Sequence, residues 1–296
     1  MAWQPILSRF ARHRLAVAGS AVLAALALLS ALAAWGPYSP NAPDLGNVLV
    51  NPSPAHPLGT DELGQDLLTR LLYGGRVSLL VGVGASAIAT AIGSLYGGVA
   101  GFHGGRLDAL MMRVVDLMLA FPAVFLLLLL ASFQRASVAT VILYIGLFGW
   151  MSIARLTRGQ VLGLRERDFV VATRSLGAGS GRLIFRHLMP NALPPVIVAA
   201  TLGAGEAILL EAVLDFIGFG VPVGVPTWGN LVASGHQYLA TAPLLVVAPG
   251  LTITVVLVSL NYIGDALRDV LDPYEPDRQA RPGRLRCGSR RPPRGS

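Results

Sequence analysis

The chain has 296 residues, of which 53% are hydrophobic and only 13% charged, with a mean hydropathy of +0.61. Soluble domains carry about 25% charged residues, so the solvated surface a soluble protein of this length needs is largely missing. All 23 basic residues are arginine, and the absence of lysine excludes a standard P-loop ATPase, whose lysine must reach the nucleotide phosphates.

Residues 1–14 form a short basic lead. Leu15–Trp35 is the first of six stretches near the ~20 apolar residues that a hydrocarbon core requires. It is long and no A-x-A site clearly precedes a soluble domain, so it reads as an uncleaved anchor rather than a signal peptide. Residues 36–76 follow as a polar segment whose first part, "GPYSPNAPDLGNVLVNPSPAHP", holds too many prolines for a regular helix. Beyond it, Leu63, Leu67, Leu68, Leu71 and Leu72 recur at helical spacing among Asp61, Glu62 and Asp66. That pattern predicts an amphipathic helix lying along the outer membrane surface.

The second span, Val77–Phe102, is rich in Gly, Ala and Ser, with Gly93, Gly97 and Gly101 at four-residue spacing. Small residues so placed let helix backbones approach closely in lipid. Val114–Ser132 and Val138–Ala154 are the third and fourth spans, and Asp108 and Asp116 beside the third predict pairing with Arg106 and Arg113. The fifth, Leu193–Phe216, contains Pro194, Pro195, Gly203 and Gly205, which predict a bent or broken helix. It also holds Glu206 and Glu211, with Asp215 four residues beyond Glu211 on one helix face. These carboxylates either line a pathway or pair between helices, or they sit solvated near the outer end. Pro243–Leu267 is the last span, and from Pro273 the Pro-, Gly- and Arg-dominated tail predicts disorder and contact at most with lipid headgroups. The single cysteine, Cys287, lies in that tail and can form no internal disulfide.

Chemistry is sparse. His13, His56, His103, His187 and His236 are scattered and never at metal-ligand spacing, and no triad is visible, so neither an enzyme nor a metal site is expected. The basic balance follows from topology rather than nucleic-acid binding. With a cytoplasmic N-terminus, twenty arginines fall inside and only Arg70, Arg76 and Arg135 outside, which the positive-inside rule strongly favours.

Between the fourth and fifth spans lies a polar stretch, about 155–192, that includes "ATRSLGAGSGRLIFRHLMPN". Asp168 to Leu176 and Arg182 to Met189 have helical character, the glycines between them form a turn, and Pro190 should stop the second segment. Phe169, Leu176, Ile184, Phe185 and Leu188 give this helix-turn-helix apolar points for docking on another protein, or alternatively on lipid.

With "HPLGTDELGQDLLTRLLYGGRVSLLVG", "RLDALMMRVVDLMLAFP", "VVATRSLGAGSGRLIFRHLMPN", "ILLEAVLDFIGFG" and "NYIGDALRDVLDP", the chain from about His56 to Pro273 resembles the permease subunits of bacterial ABC importers, in the dipeptide/oligopeptide/nickel branch. The resemblance implies an all-α integral membrane protein of the bacterial inner membrane. It would have the type I ABC importer permease fold, six transmembrane helices and both termini cytoplasmic, with residues 77–267 as the transport domain. It also implies a homologous second permease, two P-loop ATPase subunits carrying the ATP and Mg, and an extracytoplasmic solute-binding protein. The family's coupling helix, an Glu-Ala-Ala–Gly loop seated on the ATPase, maps here onto Ala172 and Gly177, with Val171 at the Glu position and Thr173 at the second Ala. Phe169, Leu176, Phe185, His187, Pro190 and Asn191 complete that loop. Asp215 stands where relatives often carry Ser, and Gln65 where they often carry Arg or Lys. Di- or oligopeptides are the substrates this resemblance favours, although nickel and glutathione systems share the permease type. An ion-gradient transporter using Glu206, Glu211 and Asp215 as a relay is the alternative.

The arginine asymmetry is open to a direct check. Reporter fusions at Pro40 and Gly235 are expected to read as extracytoplasmic, and fusions at Gly179 and Pro282 as cytoplasmic. An extracytoplasmic signal at Gly179 would overturn the topology.

Overall fold

The computed structural model describes residues 8–133, 137–222 and 224–271. Within them the chain is helical, apart from loops and one isolated bridge between Thr60 and Asp66. The tail from Pro273, with Cys287, and Arg135 lie outside the described residues. In chain order the helices are α1 (Arg14–Leu32), α2 (Leu67–His103), α3 (Gly105–Leu119), α4 (Ala123–Phe133), α5 (Val138–Leu164) and α6 (Asp168–Ser175), then α7 (Ser180–Ile217), α8 (Trp228–Gly235) and α9 (Leu244–Leu271). Among the described residues, α1, α2, α5, α7 and α9 are each long and apolar enough to cross a membrane, and α3 with α4 makes a sixth candidate bent by 79°.

The centre of the bundle is α2, because its small residues fall in two rows. Ala85, Ala89, Gly93, Gly97 and Gly101 face α5. A Cβ on Gly93 would stand 2.5 Å from the Trp150 carbonyl oxygen, one on Gly101 would stand 2.8 Å from that of Arg158, and one on Gly97 would strike the Ala154 carbonyl. Trp150, Ala154 and Arg158 are themselves four apart, so the two backbones run in contact over about two turns. The second row, Gly74, Ser78, Gly82 and Ser86, faces α7 and α8. A Cβ on Gly82 would stand 2.9 Å from the Ala204 carbonyl oxygen, and the Ser86 hydroxyl donates to the Ala200 carbonyl at 2.6 Å. The glycine spacing read from the sequence therefore marks a real helix contact. α1 is peripheral: it lies along α9, with Gly19 against Ser259.

Three expectations are revised. The third span is not one straight helix, because Pro122 disfavours helical geometry at Phe121. α3 accordingly ends at Leu119, and the chain restarts as α4 at Ala123. Among the described residues, the stretch from Leu63 forms no separate helix ahead of α2. Asp61 and Glu62 belong to the turn before α2, and Asp66 caps α2 by accepting from the Thr69 amide at 2.8 Å, so Leu67, Leu68, Leu71 and Leu72 open the membrane helix itself. Finally, the segment from Arg182 is not stopped at Pro190, and α7 continues as one helix through Pro194 and Pro195. Its irregularity is a π-helical stretch, Leu183–Leu188. Pro190 lies in the first turn of the α-helical stretch that follows, where the N–H that proline lacks is least needed.

The packing predicts a contrast between two glycines. Gly97→Leu must push α2 off α5, whereas Gly163→Leu, in the same bundle but with nothing within 4 Å of its Cβ position, should be tolerated. Overpacking costs ~1–3 kcal/mol or more. The melting temperature of the purified protein in detergent should thus fall by several degrees for Gly97→Leu and stay within about a degree for Gly163→Leu.

Candidate functional site

Two regions carry polar groups that the fold has to place deliberately: the segment between α5 and α7, and the carboxylates of α7.

In the first, α6 ends in a Schellman turn. Gly177 has φ +82°, a left-handed conformation that costs other residues ~1–2 kcal/mol. Its N–H bonds to the Arg174 carbonyl at 2.9 Å, and the Ala178 N–H reaches the Thr173 carbonyl at 3.3 Å. The turn folds α6 back so that Val170 packs with Leu183, Leu188 and Ala192 of α7 and Val161 of α5. Of the expected docking points, Ile184 and Leu188 are therefore buried, 6% and 0% exposed, and are unavailable to a partner. Leu176, at 88% exposed, Phe185, at 62%, and Phe169 and Val171 point outward instead. Ala172, Gly177 and Asn191 are exposed and His187 and Pro190 half-buried. The Asn191 side chain donates to the His187 carbonyl at 2.6 Å, within the π-to-α transition. The segment is thus a small folded unit whose inner apolar residues serve the bundle and whose outer ones have no partner among the described residues.

Two ion pairs stand between this unit and the membrane core. Asp108, only 7% exposed, receives two hydrogen bonds from the Arg158 guanidinium, the Nη2–Oδ2 contact being 2.6 Å. Asp116 pairs with Arg155. The pairing with Arg106 and Arg113 that the sequence predicts does not form. The fold brings α3 against the last turns of α5, so the charges cross between helices.

Near the opposite end of α7, Glu211 is fully buried and accepts from the Ser78 hydroxyl at 3.2 Å. The same hydroxyl accepts from the Trp228 amide at 3.2 Å, and the Trp228 indole N–H donates to the Leu71 carbonyl at 3.0 Å. Asp215 accepts from the Val221 amide at 2.6 Å and from the Thr227 hydroxyl. Thr227 in turn caps α8 by accepting from the Asn230 amide. Glu211 and Asp215 therefore form an interhelical clasp tying α2, α7, α8 and the connecting loop together. They are not solvated at the outer end. Glu206 does not join them: it is exposed, and its nine-residue separation from Asp215 puts it about half a turn round the helix. Sequence reasoning missed Ser78, Thr227 and Trp228 as partners. The one available signal was that Ser78 interrupts a row of glycines.

Comparisons with known proteins agree with one another. Residues 93–274 match a family described as "binding-protein-dependent transport system inner membrane component", and residues 2–54 match "N-terminal TM domain of oligopeptide transport permease C". The chain is 38% identical over 277 residues to a dipeptide transport system permease protein of Alkalihalophilus pseudofirmus, covering 92% of this chain and 90% of that protein. It is 35% identical to an oligopeptide transport system permease protein of Bacillus subtilis, covering 92% and 89%. A probable D,D-dipeptide transport system permease protein of Escherichia coli is 41% identical over 240 residues, covering 81% and 80%. Among solved structures, a chain of the inward-facing MetNI methionine ABC transporter aligns with a TM-score of 0.58 at 17% identity, covering 70% of this chain and 98% of that one. This last likeness shows the fold alone.

The clasp generates a prediction. Ser78→Ala leaves the buried Glu211 carboxylate without its serine donor, and an unsatisfied buried polar group costs ~1–3 kcal/mol. A measurable drop in the melting temperature of the detergent-solubilised protein is expected. Ser132→Ala, which removes an exposed bond to its own helix, should leave the melting temperature unchanged.

Proposed function

The chain belongs to the family of binding-protein-dependent transport inner membrane components, the permease subunits of ABC importers, and from that premise we propose that it passes di- or oligopeptides through the inner membrane, with ATP hydrolysed on separate subunits. The named relatives support the substrate class. Family membership supports the importer reading and leaves the ion-gradient alternative without support.

The complete transporter pairs this chain with a homologous second permease. Two P-loop ATPases bind ATP and Mg beneath it, and a solute-binding protein delivers peptide from the other side. The observation that carries this assignment is the outward apolar set of Phe169, Val171, Leu176 and Phe185 on the arginine-rich side of the bundle. Side chains so exposed in water mark a protein contact, and buried aromatics usually dominate such interfaces. Ala172, Gly177, His187, Pro190 and Asn191 shape the unit that presents them.

Coupling then follows from continuity. The docking unit ends in the first turns of α7, which runs unbroken from Ser180 to Ile217. ATP-driven closure of the ATPases displaces α6 and the start of α7 together, because Val170, Leu183 and Leu188 hold them as one body. α7 carries that displacement across the membrane to the clasp at Glu211 and Asp215, where the loop to α8 closes or opens the outer face. This is a rigid-body change biased by a ligand bound elsewhere.

Leu176→Asp and Phe185→Asp alter exposed side chains, so insertion should be normal while co-purification of the ATPase subunits falls at least tenfold. Gly177→Leu should act the same way through strain at a left-handed position. Unchanged ATPase recovery with all three variants would exclude this surface as the docking site.

A further inference from the structure

Glu206 sets a physical problem that the clasp does not solve. It lies eleven residues before Ile217 at the end of α7. That is ~16 Å along the axis, close to half the thickness of a ~30 Å hydrocarbon core. A carboxylate at that depth is expensive against lipid and is found facing a bundle interior or a water-filled cavity. Yet Glu206 is exposed on this chain, and among the described residues no hydrogen bond or ion pair reaches it. Within the described spans it is the one exposed ionisable side chain more than ten residues from either end of its helix.

Its surroundings say what kind of space it faces. The opposite side of α7, with Ala204, Ile208, Glu211 and Asp215, is buried on α2 and α8. On the Glu206 side, Pro195 and Ala199 lie at four-residue spacing towards the start of α7 and are only partly covered. Towards the clasp the same face carries Leu209 and Val213, 48% and 37% exposed, so the carboxylate stands between short side chains on one side and an apolar wall on the other. Glu206 also rides on the helix that carries the coupling motion, so its exposure to either side of the membrane changes with the ATPase cycle.

We propose that Glu206 stands in the translocation pathway and receives the cationic amino terminus of the peptide as it passes the membrane midplane. The ligand class rests on the peptide reading above; the placement in the pathway does not. One carboxylate in an otherwise apolar wall holds an ammonium strongly enough to draw it from water and weakly enough to release it, as passage requires.

The test uses the full transporter in proteoliposomes, with both permeases, both ATPases and binding protein. In a Cys287→Ser background, the thiol introduced by Glu206→Cys is expected to react within minutes with a membrane-impermeant methanethiosulfonate reagent in at least one of the nucleotide-free and ATP-trapped states. A thiol unreactive in both states would overturn the pathway placement. Uptake of a free-amine tripeptide at saturating loaded binding protein should fall about tenfold for Glu206→Gln and recover to within about threefold for Glu206→Asp. The N-acetylated tripeptide should be carried equally by the unmodified protein and Glu206→Gln. Equal uptake of the free-amine peptide by both overturns the proposal. So does separation of the two permeases in Glu206→Gln, which would make the carboxylate an intersubunit pairing group. An unmodified complex that imports no peptide while the introduced thiol still reacts overturns the substrate class, and the ammonium with it, but retains the pathway placement.

Discussion

Helices in lipid gain nothing by hiding leucine from one another, so α2 holds α5 and α7 by backbone approach rather than by apolar burial. The two small-residue rows on α2 make that approach possible, one meeting the carbonyls of Trp150, Ala154 and Arg158 and the other meeting α7 at Ala204. Two of the polar contacts across the bundle depend on this spacing. Ser78 reaches Glu211 only because Gly74 and Gly82, one turn to either side, let α8 and α7 close on α2. At the other end, Gly101 brings Arg158 beside α2, where it meets Asp108.

The polar groups are sorted by cost. Two ion pairs, Asp108–Arg158 and Asp116–Arg155, join α3 to α5 beside the α5–α7 segment, and two more, Arg70–Asp61 and His56–Asp66, tie the loop before α2 to its first turn. The clasp at Glu211 and Asp215 is more deeply buried, and each of its carboxylates has donors from serine, threonine or backbone. Such buried networks hold one arrangement of their elements firmly, since a half-satisfied network is worse than none. Glu206 is an exposed carboxylate in mid-helix that no hydrogen bond or ion pair reaches among the described residues, which is why it reads as part of a site shared with something outside the chain.

One helix joins the two polar regions. α7 begins in the folded unit after α6, passes through a π-helical stretch at Leu183–Leu188 and continues to the clasp. π-helical turns often sit at functional sites. This one lies where the folded unit after α6 passes into the long apolar helix. Pro194 and Pro195 follow within a helix that remains continuous.

Much of this was legible in the sequence. Apolar runs long enough to cross a bilayer, glycines at four-residue spacing, a glycine-centred turn after α6 and a one-sided arginine count are all local or additive properties, and each is carried by residues within a few positions of one another. What the sequence could not decide is partner choice. Asp108 sits two residues from Arg106 yet pairs with Arg158, 50 positions on, and Ser78 meets Glu211 across 133. Likewise, periodicity made Ile184, Leu188 and Phe185 equivalent apolar points, but only the folding of α6 onto α7 turned two inward and left one exposed. Glu206, Glu211 and Asp215 looked like one acidic set, and α-helical geometry with the position of α2 separated them. Local pattern determines which segments become helices. Which faces meet depends on where backbones can come close, and that is a property of helix pairs.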